Sequence, residues 1–254
     1  MANTINDLMA AVKRFVFNNT QGSDAFQGAY QGSGAASLAE FMDDAILRAA
    51  NNARLFAERG HDFEAAKVAV SATISPGGSL SLDSVGGVKF RTLQAVVFDA
   101  GGDFLPLLLT THRDLVVRKR VNMRLYGGER YPADGEEFSV GNLPFCAYTD
   151  GRILKLHPPQ TDSWTLTLHG HKYLADYTKT GSGGGRAYAG SDFLLDNGFD
   201  FLQWQTIVEL NYIVQIYVPR QEGSLAPPER QALAAWSNLT ADDAYSNIGN
   251  HFSE

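Results

Sequence analysis

The sequence predicts an α+β protein: an antiparallel helical bundle core interrupted by an all-β insertion, either a sandwich or a small barrel. Three observations carry that expectation. Apolar residues recur at helical spacing up to Gly60, alternate with a period of two from there towards Gly190, and then return to helical spacing. Glycine supplies 25 of the 254 residues, and Gly, Pro, Asn and Asp punctuate short β-like runs through the middle of the chain. Charge sorts along the same boundary, with 14 basic and 13 acidic side chains in residues 60–190 against 7 and 15 in the remainder. The expected organisation is a helical core of residues 1–59 and 191–254 and a β-rich module of residues 60–190. The length allows one large domain or a core carrying one insertion.

Thr4 opens the first helix. Its hydroxyl can cap, Asp7 puts a carboxylate in the first turn, and Ile5, Leu8, Met9, Val12, Phe15 and Val16 form one stripe ending near Asn18. Residues 18–36 are polar and glycine-bearing with no sustained period, so the expectation is a long loop that gains order on a partner. The first helix and the tail after Thr240 have little core of their own and are expected to gain order on a neighbour likewise. Ser37-Leu-Ala-Glu40 is a capping box, and Leu38, Phe41, Ala45, Ala49, Ala53 and Phe56 follow at helical spacing until Gly60 offers a left-handed stop. Val68, Val70, Ala72 and Ile74 then alternate as in a half-buried strand, and Pro76-Gly-Gly78 is a turn. Further strands are expected at Val88–Phe98, Leu115–Leu125, Arg152–Leu156 and Trp164–Tyr173. Asp200 is expected to cap a helix carrying Trp204, Ile207, Val208 and Ile216 and ended by Pro219. Pro228 suits the first turn of another helix with Leu233 and Trp236, and a last turn is expected to start at Thr240.

Lys and Arg number 21 against 28 Asp and Glu, a net charge of −7. That disfavours a general nucleic-acid binder, because wrapping a polyphosphate takes a basic face. The single cysteine, Cys146, cannot form an internal disulfide, and no Cys/His set has structural-zinc spacing, so no metal or other cofactor is expected. The apolar run Leu8 to Val12 precedes Lys13 and Arg14, the reverse of the order in an export signal. Ala95–Phe98 and Phe104–Leu109 fall far short of the roughly 18 apolar residues of a membrane span, so no membrane partner is expected.

Thr180-Gly-Ser-Gly-Gly-Gly-Arg186 lacks the lysine and hydroxyl that complete a phosphate-cradling loop, and reads as a flexible linker. His169-Gly-His171 puts two imidazoles on one strand face, a chelating spacing that needs a third ligand, with His157 or Asp176 nearby in sequence. Asp242-Asp243 and Asp196/Asp200 read as carboxylates capping helices or filling their first turns. Cys146, beside Pro144 and Phe145, reads as a small core residue. No catalytic residue is assigned. One basic run stands out: Arg113, Arg118, Lys119, Arg120 and Arg124, relieved only by Asp114. It is either a solvated strand face with edge-protecting charges or a contact to an acidic partner or DNA, the partner ranking ahead because the module's net charge is close to zero.

The segment Ala49-Ala-Asn-Asn-Ala-Arg-Leu-Phe-Ala-Glu-Arg-Gly-His-Asp-Phe-Glu64, running into a strand, resembles the head-to-tail adaptor proteins of short-tailed phages, the tail tubular protein A group. There a helix ends in an Arg-Gly-aromatic-x-Phe corner; His61 takes the aromatic place here. Asp192-Phe-Leu-Leu-Asp-Asn-Gly-Phe-Asp-Phe-Leu-Gln-Trp-Gln-Thr-Ile-Val-Glu-Leu-Asn-Tyr-Ile213 also looks like that group's return from β module to helix. The resemblance covers about half of the chain, residues 37–75 and 190–245. It implies a non-enzymatic virion protein, assembled in the host cytoplasm, with twelve copies in a ring beneath the portal protein. Tail tube or nozzle proteins attach below, and double-stranded DNA passes through the middle. An acidic channel wall would repel phosphate and let the duplex slide. Two rivals remain: a receptor- or carbohydrate-binding tail protein using Trp164, Tyr173 and Tyr188, and a metal-dependent hydrolase using the His169/His171 face.

Overall fold

The computed structural model describes residues 3–18, 20–99, 104–113, 146–157, 160, 162–181, 187–217 and 226–251. Helices (49% of the described residues) and strands (28%) are both abundant, so the class is α+β. Three helices come first: α1 (Ile5–Phe17), α2 (Thr20–Tyr30) and α3 (Leu38–Gly60). Seven strands follow: β1 (Lys67–Ile74), β2 (Leu80–Ser81), β3 (Phe90–Asp99), β4 (Phe104–Thr111), β5 (Cys146–Asp150), β6 (Ile153–His157) and β7 (Trp164–Lys172). A short hairpin, β8 (Thr178–Thr180) and β9 (Ala187–Ala189), leads into α4 (Phe193–Asn197), α5 (Phe199–Val214) and α6 (Pro227–His251). The chain divides into two compact units, a helical one of Met1–Ala65 and Leu174–Glu254 and a β-rich one of Ala66–Tyr173. These bounds are narrower for the β unit than the expected 60–190; Leu174, Asp176, Tyr177 and Lys179 are bonded to side chains of α3.

In the helical unit, Thr4 and Asp7 form a reciprocal capping box, with the Asp7 amide donating to Thr4 Oγ1 at 3.3 Å and the Thr4 amide to Asp7 Oδ2 at 2.8 Å. Hydrogen bonds from Thr4 hold the Asp7 carboxyl below its ordinary range. Ile5, Leu8, Met9, Val12 and Val16 are buried, so α1 has a core of its own, contrary to the expectation that it waits for a neighbour. The expected loop at 18–36 is also corrected. Phe26 is fully buried with its ring 6.1 Å from Phe41, and Tyr30 lies one turn on, so two aromatics suffice to seat α2. Two apolar anchors in eleven residues are too few to show as a period.

α3 begins on Ser37, whose hydroxyl accepts from the Glu40 amide at 3.1 Å. Gly60 ends it without the expected left-handed turn; a β-carbon there would stand 2.9 Å from the Trp236 ring, so the glycine makes room for that ring. Asp192, not Asp200, supplies a cap: its Oδ1 accepts from the Leu195 amide at 3.1 Å to start α4. α5 starts on Gly198 with no side-chain cap and stops at Gln215 in the left-handed conformation (φ 56°), ahead of Pro219, leaving Ile216 buried beyond the helix. No helix begins at Thr240. Its hydroxyl donates to the Trp236 carbonyl at 3.1 Å inside the continuous α6.

Among the described residues, the β unit holds a seven-stranded sheet, ordered β1-β7-β3-β4-β5-β6-β2 and barrel-like in being nearly closed. All its pairs are antiparallel except β4 with β5. Ile74, Phe90, Val96, Phe98, Leu154 and Leu166 anchor its core. β3 carries two bulges against β7, at Phe90/Thr92 and Leu93/Ala95, which tighten the local twist. Gly170 lies opposite Leu93 between them. A β-carbon there would come within 2.1 Å of the Thr92 carbonyl oxygen, so only glycine fits. The expected strand Leu115–Leu125 lies outside the described residues.

Candidate functional site

Asn51, Arg54 and Glu58 sit at i, i+3 and i+7 on one face of α3 and together grip the chain that re-enters the helical unit. Arg54 donates to the Leu174 carbonyl, and the Leu174 amide donates to Glu58 Oε1, so two helix side chains satisfy both polar groups of one extended residue. Arg54 also bonds Glu58 at 3.2 Å and pairs with Asp176. Asn51 repeats the pattern on Tyr177, donating to its carbonyl and accepting from its amide, each at 2.9 Å. The Tyr177 hydroxyl donates to Asp192 Oδ2 at 2.9 Å, and Lys179 pairs with Asp44. Burial, with the charge of Asp192 behind it, pushes the Tyr177 hydroxyl far above its usual range; burial likewise raises the Asp192 carboxyl. The arrangement is structural. The sequence signal was the polar stripe itself, set among buried alanines.

An aromatic junction lies in the same unit. Phe63 is 2% exposed and packs on Phe193 (4.9 Å between ring centroids) and Trp236 (6.0 Å). Phe201 packs on Trp236 (5.1 Å) and Phe56 (6.3 Å). His61 stands edge-on to Phe63 and places Nε2 2.9 Å from Asp243 Oδ2, while Asp243 Oδ1 accepts from the Glu64 amide at 3.1 Å. Asp243 therefore joins two distant stretches of chain from mid-helix instead of serving the first turn of a helix.

The acidic residues singled out in the sequence separate into two roles. Asp243 faces His61. Asp242, Asp196 and Asp200 line one open cleft of about 510 Å³ between the end of α4, the start of α5 and α6. Asn197, Asn238 and Trp204 line it too, and among the described residues no lysine or arginine does. The uncapped amide end of α5 opens onto the same cleft.

Of the basic run, Arg113 is exposed just past β4, and Arg118, Lys119, Arg120 and Arg124 lie outside the described residues. The glycine loop is described only at Thr180 and Gly181, the end of β8. His169 and His171 share β7, but His169 is exposed whereas His171 is buried, with Nδ1 3.0 Å from Thr92 Oγ1. The third ligand is not brought to them: His157 is on β6, with β5, β4 and β3 intervening in the sheet, and Asp176 pairs with Arg54. No cluster of three metal-ligating side chains occurs among the described residues. Cys146 starts β5 opposite Leu108. Trp164 opens β7 and Tyr173 follows its last residue, about 30 Å away along extended chain, and Tyr188 is on β9 in the other unit. No helix among the described residues is long and apolar enough to cross a membrane. No protein-family model and no curated protein matches this chain.

Proposed function

We propose that this chain is a virion structural protein, a head-to-tail connector adaptor whose copies form a ring, of twelve by the resemblance, between portal and tail, with DNA passing through it. The helical unit is the adaptor core, its helices packed as a bundle, and the β unit is the insertion. One observation carries the reading. The two segments resembling the adaptor group are about 120 residues apart in sequence, yet Phe56 and Phe63 from the first pack on Phe201 and Phe193 from the second. The helix-to-strand corner and the return helix thus behave as one structural feature. The charge distribution agrees with a DNA conduit: the helical unit holds 9 basic and 18 acidic side chains, so a wall built from it repels a passing duplex.

The test is electron microscopy of purified protein with and without portal protein. A closed ring seated on the portal is expected. Density only at the distal tip of the tail would favour receptor or carbohydrate binding instead.

A further inference from the structure

We propose that α6 is a releasable strap: it unlatches from the helical unit ahead of α3 and α5, and its release frees the corner that leads out of α3. The inference goes beyond the ring reading and does not depend on it. It starts from how little of α6 is buried. Over residues 227–243 only Pro228, Ala232 and Leu239 are buried, with Trp236 half-buried, whereas α5 buries nine of its 16 residues and α3 ten of its 23. A helix in water draws most of its stability from the apolar face it packs, so an element with few buried anchors opens at lower cost than its neighbours. One stripe of α6, Gln231, Ala234, Ala235, Asn238 and Asp242, lines the open cleft of about 510 Å³. That side of the helix is backed by space instead of packed side chains, and forgoes their dispersion contacts.

What seats α6 is a short row of anchors at i, i+3 and i+7. Trp236 lies over Gly60, where a β-carbon would stand 2.9 Å from its ring, and Leu239 lies over Gly198, where a β-carbon would stand 3.1 Å from Leu239 Cδ2. Asp243 closes the row, with Oδ2 2.9 Å from His61 Nε2 and Oδ1 accepting from the Glu64 amide at 3.1 Å. The Trp236 ring also meets the rings of Phe56, His61, Phe63 and Phe201. These contacts couple the strap to the corner. When α6 leaves, the Glu64 amide loses the carboxylate that accepts from it, and His61 and Phe63 lose the Trp236 ring. Phe56 and Phe201 are uncovered in the same step.

Native-state hydrogen exchange on the full-length protein tests this. In wild type the amides of residues 231–243 are expected to exchange at least about hundredfold faster than the central amides of α3 and α5, and the Glu64 amide to keep pace with α6. Two variants add a perturbation confined to the strap. Gly60→Ala drives a β-carbon at the Trp236 ring, and Asp243→Ala removes the pair that closes the row. Each should speed exchange across α6 by at least about tenfold while residues 42–54 of α3 and the whole of α5 keep their wild-type rates. Exchange of α6 in step with α3 and α5 in wild type overturns the proposal, and so does equal acceleration of all three helices in a folded variant. The wild-type comparison decides the question even where a variant fails to fold.

Discussion

At the scale of single residues, backbone proximity and burial decide the largest effects. Gly170→Ala forces a β-carbon onto the Thr92 carbonyl between two bulges, where no flexible side chain can give way. Urea unfolding is expected to show a loss of at least about 2 kcal/mol, in the range of overpacking within a tight interior. Tyr177 governs a pH response. Its hydroxyl titrates above the unfolded value of about 10, so the folded chain keeps a proton that the unfolded chain loses. The stabilisation is complete below about pH 10 and declines as pH rises past it. Tyr177→Phe should flatten that alkaline decline while lowering stability at neutral pH by about 1–3 kcal/mol through the lost bond to Asp192. Some slope persists, because burial also pushes Tyr217 up to about 12. An unchanged alkaline slope in the variant would contradict this role.

At the scale of elements, the grip of α3 on the returning chain is the least replaceable feature of the helical unit. Arg54→Met leaves Glu58 buried without its cation and the Leu174 carbonyl without its donor. Denaturant unfolding should register a loss of about 3–5 kcal/mol. The elements with a dense apolar period, α1, α3, β1 and β7, were legible in the sequence because their periods repeat over several turns or residue pairs. α2 was not, since it rests on Phe26 and Tyr30 alone. The cap of α4 was missed because Asp192, Asp196 and Asp200 are equivalent in composition, and only the bond to the Leu195 amide separates them. The acidic cleft was visible only in fragments. In the sequence these aspartates stand only in local pairs, Asp196 with Asp200 and Asp242 with Asp243, and the meeting of α4, α5 and α6 that gathers Asp196, Asp200 and Asp242 depends on long-range packing.

At the scale of the whole molecule, the two-unit division predicts where the chain can be cut. Replacing residues 66–173 by a Gly/Ser linker should keep the helical circular-dichroism signal and a cooperative transition, since the Leu174 and Tyr177 anchors on α3 remain. Replacing 60–190 removes those anchors and should lower the melting temperature further or abolish the transition. Equal behaviour of the two deletions would contradict the assignment of residues 174–190 to the helical unit. The larger claim is that the protein is a ring-forming connector. The measurement that bears on it most directly is single-particle imaging of the full-length protein bound to portal. The account predicts a closed ring of copies at the portal, with the helical units lining a channel wide enough for duplex DNA. A protein that stays unassembled with portal, or that occupies only the distal end of the tail, would contradict it.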